Sequence, residues 1–488
     1  MTRREFLKVC GLGAASRLLY GVHSTPPSYE RPNILWLDAE DLSPDLGCYG
    51  NKLVHTPNID RLAREGVIFT NAFVTGPVCS SSRSAVATGM YQTSIGAHNH
   101  RSNRDKPLPK GVKHFSYYLR KAGYYVCNCQ ALQWNRRGKM DYNFKLSFEE
   151  AFDGTDWSGR KPGQPFFAEV HFHEAHRPFR PDPENPIDPD EVEIPPYYPD
   201  HPVTRKDWAL YLETIQLLDK KVGQVLKRLE EEGLAENTVV FFWGDHGRAM
   251  VRGKQFLYEG GIRIPLIVRW PGKVRPGTVV DDLVSAIDLT VTWLRIAGVD
   301  PPENMQGLDL FSGETAKRRY IFAARDRCDE TVDRIRCVRT KRFKYIRNFY
   351  PDRPYTQFNA YKKLQYPVLT LMEVLHKQGK LTPEQERFMS PTRPEEELYD
   401  LENDPYELHN LAGDPRYQDV LRELRGALER WMEETNDQGA LPEDPEVLEY
   451  WRREAEERFE RRMRERGLSP DVSPEEYLRW WEGRLGLR

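Results

Sequence analysis

The 488-residue chain has no run of about 18 consecutive apolar residues, so no transmembrane helix is expected. It also lacks an excess of one charge: 71 Lys and Arg stand against 74 Asp and Glu, a formal net charge of -3. Such a balance produces no overall field that would draw nucleic acid. Cysteine is scarce and odd in number, with seven at Cys10, Cys48, Cys79, Cys127, Cys129, Cys328 and Cys337, which argues against a disulfide framework. Cys127-Asn128-Cys129 is too closely spaced for an ordinary zinc knuckle and reads as structural. There is no internal repeat and no low-complexity tract. What the chain does have is 36 Pro and 34 Gly, the mark of a loop-rich globular enzyme rather than a helical bundle. Its length suits one large domain with a smaller one, or two to three domains.

The stretch around which the rest is organised is Val78-Cys79-Ser80-Ser81-Ser82-Arg83-Ser84-Ala85-Val86-Ala87-Thr88-Gly89. Cys79 follows an apolar segment and a Gly-Pro turn, and the run after it is helical in character. That places Cys79 near a helix N-terminus, where free N–H groups and the dipole favour negative charge. Arg83, four residues on, faces the same side and is predicted to bind an oxyanion in a fork. A buried structural cysteine is the competing reading.

Other segments supply charge at strand ends. Asn33 to Leu37 is a short apolar run, read as a buried strand, and it ends in Asp38-Ala39-Glu40-Asp41. Acids at the carboxyl end of a buried strand occupy the ligand position of an open α/β sheet, and a cation relieves their repulsion. Thr238 to Trp243 repeats the pattern and ends in Gly244-Asp245-His246-Gly247, with Lys254 following. Phe166 to Phe172 is a third strand, ending at His173-Glu174-Ala175-His176; these histidines could bind metal, act as acid and base, or sit on a surface loop. The basic stretch Trp134 to Tyr142, with Lys139, reads as a solvated loop if it has no role.

The scaffold between them is plain. Thr56 caps, Pro57 opens and Gly66 ends one helix. Asp207 to Leu234 is the clearest amphipathic helix. Pro181 to Pro202 is expected to form an ordered loop over the site. Tyr320 to Ala324, Ile335 to Thr340 and Phe343 to Arg347 suggest a small antiparallel sheet, and Val420 to Glu434 a further helix. At the start, Arg3-Arg4 with Phe6-Leu7-Lys8 and a short apolar stretch resemble a twin-arginine export signal, so export to the periplasm or outside the cell is expected.

Two acidic strand ends, a cysteine at a helix start, and Arg, Lys and His make an anion site around a divalent ion. Carboxylate oxygens suit Ca²⁺ or Mg²⁺ rather than zinc. So much fixed positive charge fits sulfuryl or phosphoryl transfer. At this point the chain resembles the type I sulfatases of the alkaline phosphatase superfamily. Cys, then Arg four on, then Thr-Gly matches the family signature, and further likeness runs in order through Asn33–Gly50, Thr56–Phe73, Gly123–Tyr142, Phe166–Phe179, Tyr211–Gly233, Val239–Gly272 and Glu397–Leu401.

The resemblance implies an α/β alkaline-phosphatase-like sandwich with a large, mostly parallel sheet between helices. It implies a catalytic domain over 31–312, a C-terminal subdomain over 313–437 and a charged helical extension over 438–488, with 1–30 as export signal and linker. It makes Cys79 the precursor of a formylglycine nucleophile, produced by a maturation enzyme. Glu40, Asp41, Asp245 and His246, with position 79 itself, fall at the metal-ligand positions. Arg83, Lys254 and Lys139 fall at the cations that hold nucleophile and sulfate, and His176 at the histidine that contacts sulfate or protonates the leaving oxygen. The implied substrate is a sulfated saccharide. The sequence departs from the family pattern at Ser81, where proline is usual, at Glu40, where Asp is usual, and at His246, often Asn. The usual Trp-His after the lysine is Met140-Asp141. A phosphodiesterase or phosphonate monoester hydrolase on the same fold is the alternative, and a catalytically silent carbohydrate-binding relative a third reading.

Overall fold

The computed structural model describes residues 31–102 and 105–488; the expected export signal lies outside the described residues. Eight strands form the large sheet: β1 (Asn33–Ala39), β2 (Val67–Phe73), β3 (Tyr125–Gln130), β4 (Gln133–Arg137), β5 (Phe166–Phe172), β6 (Thr238–Gly244), β7 (Arg263–Arg269) and β8 (Thr278–Ser285), in the order β4-β3-β5-β1-β6-β7-β2-β8. The centre, β3-β5-β1-β6, is parallel. The runs in β1, β5 and β6 are buried throughout, as expected of strands covered on both faces. β7 is antiparallel to β6 and β2 is antiparallel to β7, so two reversals return β2 to the direction of the centre. The loops that follow β1, β2, β5 and β6 therefore leave the same edge of the sheet. Those are the loops that begin Glu40, Cys79, His173 and Asp245.

Helices cover the sheet. Helix Pro57–Glu65 packs with the long helix Pro202–Glu231. Helices Cys79–Thr88 and Phe115–Lys121 pack on helix Asp288–Ile296, whose Trp293 lies 4.7 Å, centroid to centroid, from Trp36 of β1. The long helix begins five residues before the expected start, because Pro202 opens it at N1 with His201 as N-cap.

The small sheet is antiparallel, with β9 (Ile321–Arg325), β10 (Ile335–Arg339), β11 (Phe343–Asn348) and β12 (Glu396–Asp400) in the order β12-β11-β10-β9. Helix Gln418–Glu434 lays Leu421, Leu424, Leu428 and Trp431 on it, against Val338, Tyr345 and Leu398. Two terminal helices, Pro445–Glu465 and Pro474–Arg484, pack back on the body through Met463, Tyr477 and Trp481 beside Leu364. The six described cysteines are all free, and no described helix is long and apolar enough to cross a membrane.

Two expectations need correction. Trp134 to Tyr142 is not simply a solvated loop: its first part is the edge strand β4, which doubles back on β3. Pro181 to Pro202 lies along the long helix instead of hanging over the site. Glu213 accepts from the backbone N–H groups of Asp182 and Ile187, and Gln216 donates to Asp182 and to the Asn185 carbonyl.

Candidate active site

The strand ends are stitched to one another before any side chain is considered. The Asp245 N–H donates to the Ala39 carbonyl at 2.9 Å, and the Glu40 N–H to the Phe172 carbonyl at 3.2 Å. Asp41 sits at φ 51, a left-handed conformation unusual for a non-glycine residue, and its N–H is held by Asp245 Oδ1 at 3.0 Å. Such strain persists only where the surroundings over-determine it.

Cys79 is the first residue of its helix, and the N-cap, Val78, provides no side-chain cap. The helix N–H groups are thus left facing the Cys79 side. The serines after it fasten the helix. Ser81 Oγ donates to the His98 carbonyl, Ser82 Oγ to the Asp245 carbonyl, and Ser84 Oγ accepts from the Asn143 N–H. The Cys79 Sγ lies 3.2 Å from His246 Nε2 and 3.7 Å from Lys254 Nζ. Burial would raise this thiol, but Lys139 and Lys254 outweigh it and hold the thiol at about 7.

Lys254 Nζ lies 2.9 and 3.1 Å from the two Asp41 oxygens and 5.1 Å from the Tyr361 ring centroid. His246 Nε2 is 3.0 Å from Asp41 Oδ1 and 3.6 Å from Asp245 Oδ1. Lys139 Nζ is 3.2 Å from Glu40 Oε1. It reaches there because Gly138 passes close under β3: a Cβ at Gly138 would stand 2.6 Å from the Cys129 carbonyl oxygen. His176 Nε2 lies 3.8 Å from Asp41 and 3.9 Å from Glu40, while its Nδ1 is 2.6 Å from the Arg177 carbonyl. A carbonyl can only accept, so the neutral ring carries its proton on Nδ1 and turns a lone pair on Nε2 toward the carboxylates. Burial lowers the His176 pKa and keeps the ring neutral.

All nine residues singled out in the sequence thus converge on one edge of the sheet, but Arg83 does not do what its spacing predicts. Its guanidinium meets Asp38 at 2.6 Å, Asp245 at 3.3 Å and Glu169 at 3.5 Å, and it is 1 % exposed. With its donors turned to acid side chains, the His171 ring and the Lys139 carbonyl, it has no free fork for an oxyanion. It braces the floor of the site instead.

That floor is what sequence reasoning missed. Asp38 is register partner to His171 on β5 and to Trp243 on β6, and both side chains bond it, at 3.0 and 2.8 Å. The other nitrogen of His171 reaches Glu40 at 2.6 Å. Glu169, buried and beside Asp38, is pushed up to about 8 and is held neutral. His173, half-exposed, stacks on His176 and lies 3.4 Å from Glu40. Tyr361, next to both His176 and Lys254, is the aromatic cover that the 181–202 segment does not supply. The available signal was a set of polar residues, Asp38, Glu169 and His171, inside otherwise apolar strands, where each must find a partner.

Asp41, Cys79 and His246 offer ligand atoms within 4.8 Å of one another, as do Glu40, Asp41 and His176. Burial alone would lower His246, yet Asp245, Cys79 and Asp41 push it up to about 10. A ring that holds a proton so firmly reports a surplus of negative charge, and the donor set fits a divalent cation.

An α/β sandwich with acidic strand ends around a buried cysteine at a helix start has the architecture of an alkaline-phosphatase-like hydrolase. The sulfatase family model matches residues 32–299, and a model described as N-sulphoglucosamine sulphohydrolase, C-terminal, matches 244–378. An ulvan-active sulfatase of Formosa agariphila is 38 % identical over 476 residues, covering 86 % of this chain and 78 % of its own. Human N-sulphoglucosamine sulphohydrolase is 27 % identical over 83 % of this chain and 90 % of its own. The solved phosphonate monoester hydrolase of Agrobacterium radiobacter shares the fold, with a TM-score of 0.62 at 19 % identity over 84 % of this chain and 97 % of its own. The chain belongs to the sulfatase family.

Proposed function

We propose that this sulfatase removes sulfate from sulfated glycans, with position 79, converted from cysteine to formylglycine, as its nucleophile. The observation that carries the reading is the placement of Cys79: at an uncapped helix N-terminus, 3.2 Å from His246 and 3.7 Å from Lys254, in a wall of carboxylates. The glycan class follows the sulfatases it resembles, which are ulvan-active and N-sulphoglucosamine enzymes. Glu40, Asp41 and Asp245 would hold the cation, with His246 joining them once the cation has displaced its Nε2 proton, and mostly oxygen donors favour Ca²⁺ or Mg²⁺.

The hydrated aldehyde would supply a hydroxyl that attacks sulfur. The chain's own groups do the rest. Lys254 and Lys139 neutralise the sulfate oxygens as charge builds on them. Asp41 fixes Lys254 and Glu40 fixes Lys139. His176, with its proton on Nδ1 and its lone pair at the centre, would take the proton that the attacking hydroxyl gives up and return it to the leaving oxygen. Arg83 keeps Asp38 ionised and holds Asp245 in place. Tyr361 shields Lys254 from water.

Purified protein is offered an aryl sulfate, an aryl phosphodiester and defined sulfated oligosaccharides, before and after removal of divalent ions. The expected result is sulfate release from the aryl ester and the saccharides, lost on chelation and restored by Ca²⁺ or Mg²⁺. Phosphate released without sulfate would replace this reading with the phosphonate hydrolase one. Mass spectrometry of the peptide spanning Cys79 reads the aldehyde directly, and a thiol in every active molecule would end the formylglycine mechanism.

A further inference from the structure

The segment 244–254 has two sides. His246 and Lys254 face Cys79. Arg248 and Arg252 line a separate cavity of about 180 Å³, walled also by Asp45, Tyr197, Tyr258 and Tyr406, and none of Cys79, Lys139, His176 or Lys254 borders it. We propose that this cavity is a second, non-catalytic subsite that grips a sulfate or carboxylate group of the same polyanionic glycan, away from the group being hydrolysed. It rests on the glycan reading above.

Arg252 carries the argument. It is 6 % exposed and held at φ 60. Its guanidinium donates to the Glu407 carbonyl at 2.9 Å and lies 4.7 Å from the Tyr197 ring centre and 4.0 Å from that of Tyr258. Among the described residues no carboxylate pairs with it, and its Nε has no hydrogen-bond partner. A buried guanidinium with an orphaned N–H is expensive unless something answers it. Arg248 adds a second: one arm pairs with Asp45 at 2.7 Å, while its Nε is also buried without a partner.

The acids on the wall do not fill that need. Glu259 is taken by Arg339 at 2.9 Å and Lys344 at 2.8 Å, and Glu407 by Lys344 at 2.7 Å. Asp45 is taken by Arg248. An incoming anion therefore finds donors that are not already answered. Two planar guanidinium groups suit the oxygens of a sulfate or carboxylate. Tyr406, 43 % exposed, packs against Tyr197, so an aromatic pair stands beside the anion position, as a sugar ring requires.

The test compares a small aryl sulfate with a sulfated polysaccharide in Arg252→Gln and Tyr406→Ala variants of the full chain. The polysaccharide KM is expected to rise about tenfold in each, from loss of one charge-assisted contact in the first and of one aromatic face for the sugar in the second. Aryl sulfate kcat and KM are expected to stay at the parent values. An unchanged polysaccharide KM in both variants would overturn the subsite and leave a water-filled cavity. An equal loss on both substrates in both variants would also overturn it, making the pair a brace for Lys254. Titration of a sulfated oligosaccharide into inactive Cys79→Ala protein, with and without Arg252→Gln, reads the subsite without turnover. A parent that binds the saccharide but hydrolyses no sulfate ester would sink the catalytic reading alone.

Discussion

The two sheets bury charge in opposite ways. In the small sheet each buried cation is closed off by acids. Arg336, fully buried on β10, pairs with Asp437 at 2.5 Å and Asp326 at 3.0 Å; Lys344 on β11 pairs with Glu259 and Glu407; Asp333 is shared by Arg325 and Arg393. At the edge of the large sheet the pairing does not close. Asp38, Glu40, Asp41 and Asp245 face Arg83, Lys139 and Lys254, with the Cys79 thiol beside them, and His246 is driven to hold a proton. Closed pairs fix a structure. An open balance leaves room for a cation and an anionic substrate to complete it.

The widest separation between the two regions is expected from one substitution in each. Cys79→Ala removes the side chain proposed as the nucleophile precursor, and activity on an aryl sulfate should fall by at least about 10⁴-fold with the thermal midpoint near that of the parent. Near-parental turnover would break the assignment. Arg336→Met does the reverse. It strands Asp437 and Asp326, and the expected cost is about 3–5 kcal/mol of stability, read from the urea midpoint. The kcat of the molecules that remain folded should be unchanged. A large loss of kcat without a loss of stability would mean that the small sheet takes part in the chemistry.

The open edge was legible in the sequence because its acids and His176 follow short apolar runs. Glu40, Asp245 and His176 stand just beyond β1, β6 and β5, and Cys79 stands between an apolar strand and a helix. What could not be read was the partner of each polar group inside a strand. Asp38 meets His171 and Trp243 through strand register, and register between strands more than a hundred residues apart is set by the whole sheet. Arg83 shows the same limit. Its spacing from Cys79 is correct for one helix face, yet Asp38, Glu169 and Asp245 draw its head away from the substrate side. Edge strand β4 was hidden because a two-sided polar strand has no apolar alternation to find. The small sheet was legible in its first three strands and missed its fourth, β12, whose sequence Glu396-Glu397-Leu398-Tyr399-Asp400 is acidic at three of five positions. Glu397 is nonetheless buried, satisfied by the hydroxyls of Tyr258, Tyr355 and Tyr399.

One carboxylate in the small sheet's own territory tests the comparison most finely. Glu330, in the connection between β9 and β10, accepts one backbone bond from Ala360, and its second oxygen is buried without a partner. No described cation forms an ion pair with it. Burial therefore pushes it up to about 7 from an ordinary value of 4.5. A raised folded pKa means that the folded protein binds the proton more tightly than the unfolded chain. That contribution to stability is complete below the unfolded value and is lost as pH climbs through about 7. Glu330→Gln keeps the shape and removes the titration. Its stability relative to the parent should rise between pH 4.5 and 7 and then level off, by about 3 kcal/mol in all, as read from urea midpoints across that range. A flat difference would mean that Glu330 is ionised across the whole range, beside a cation. A rise confirms that here an unpaired acid is accommodated by holding its own proton, whereas at the large sheet's edge Asp38, Glu40 and Asp41 stay ionised and call for positive charge.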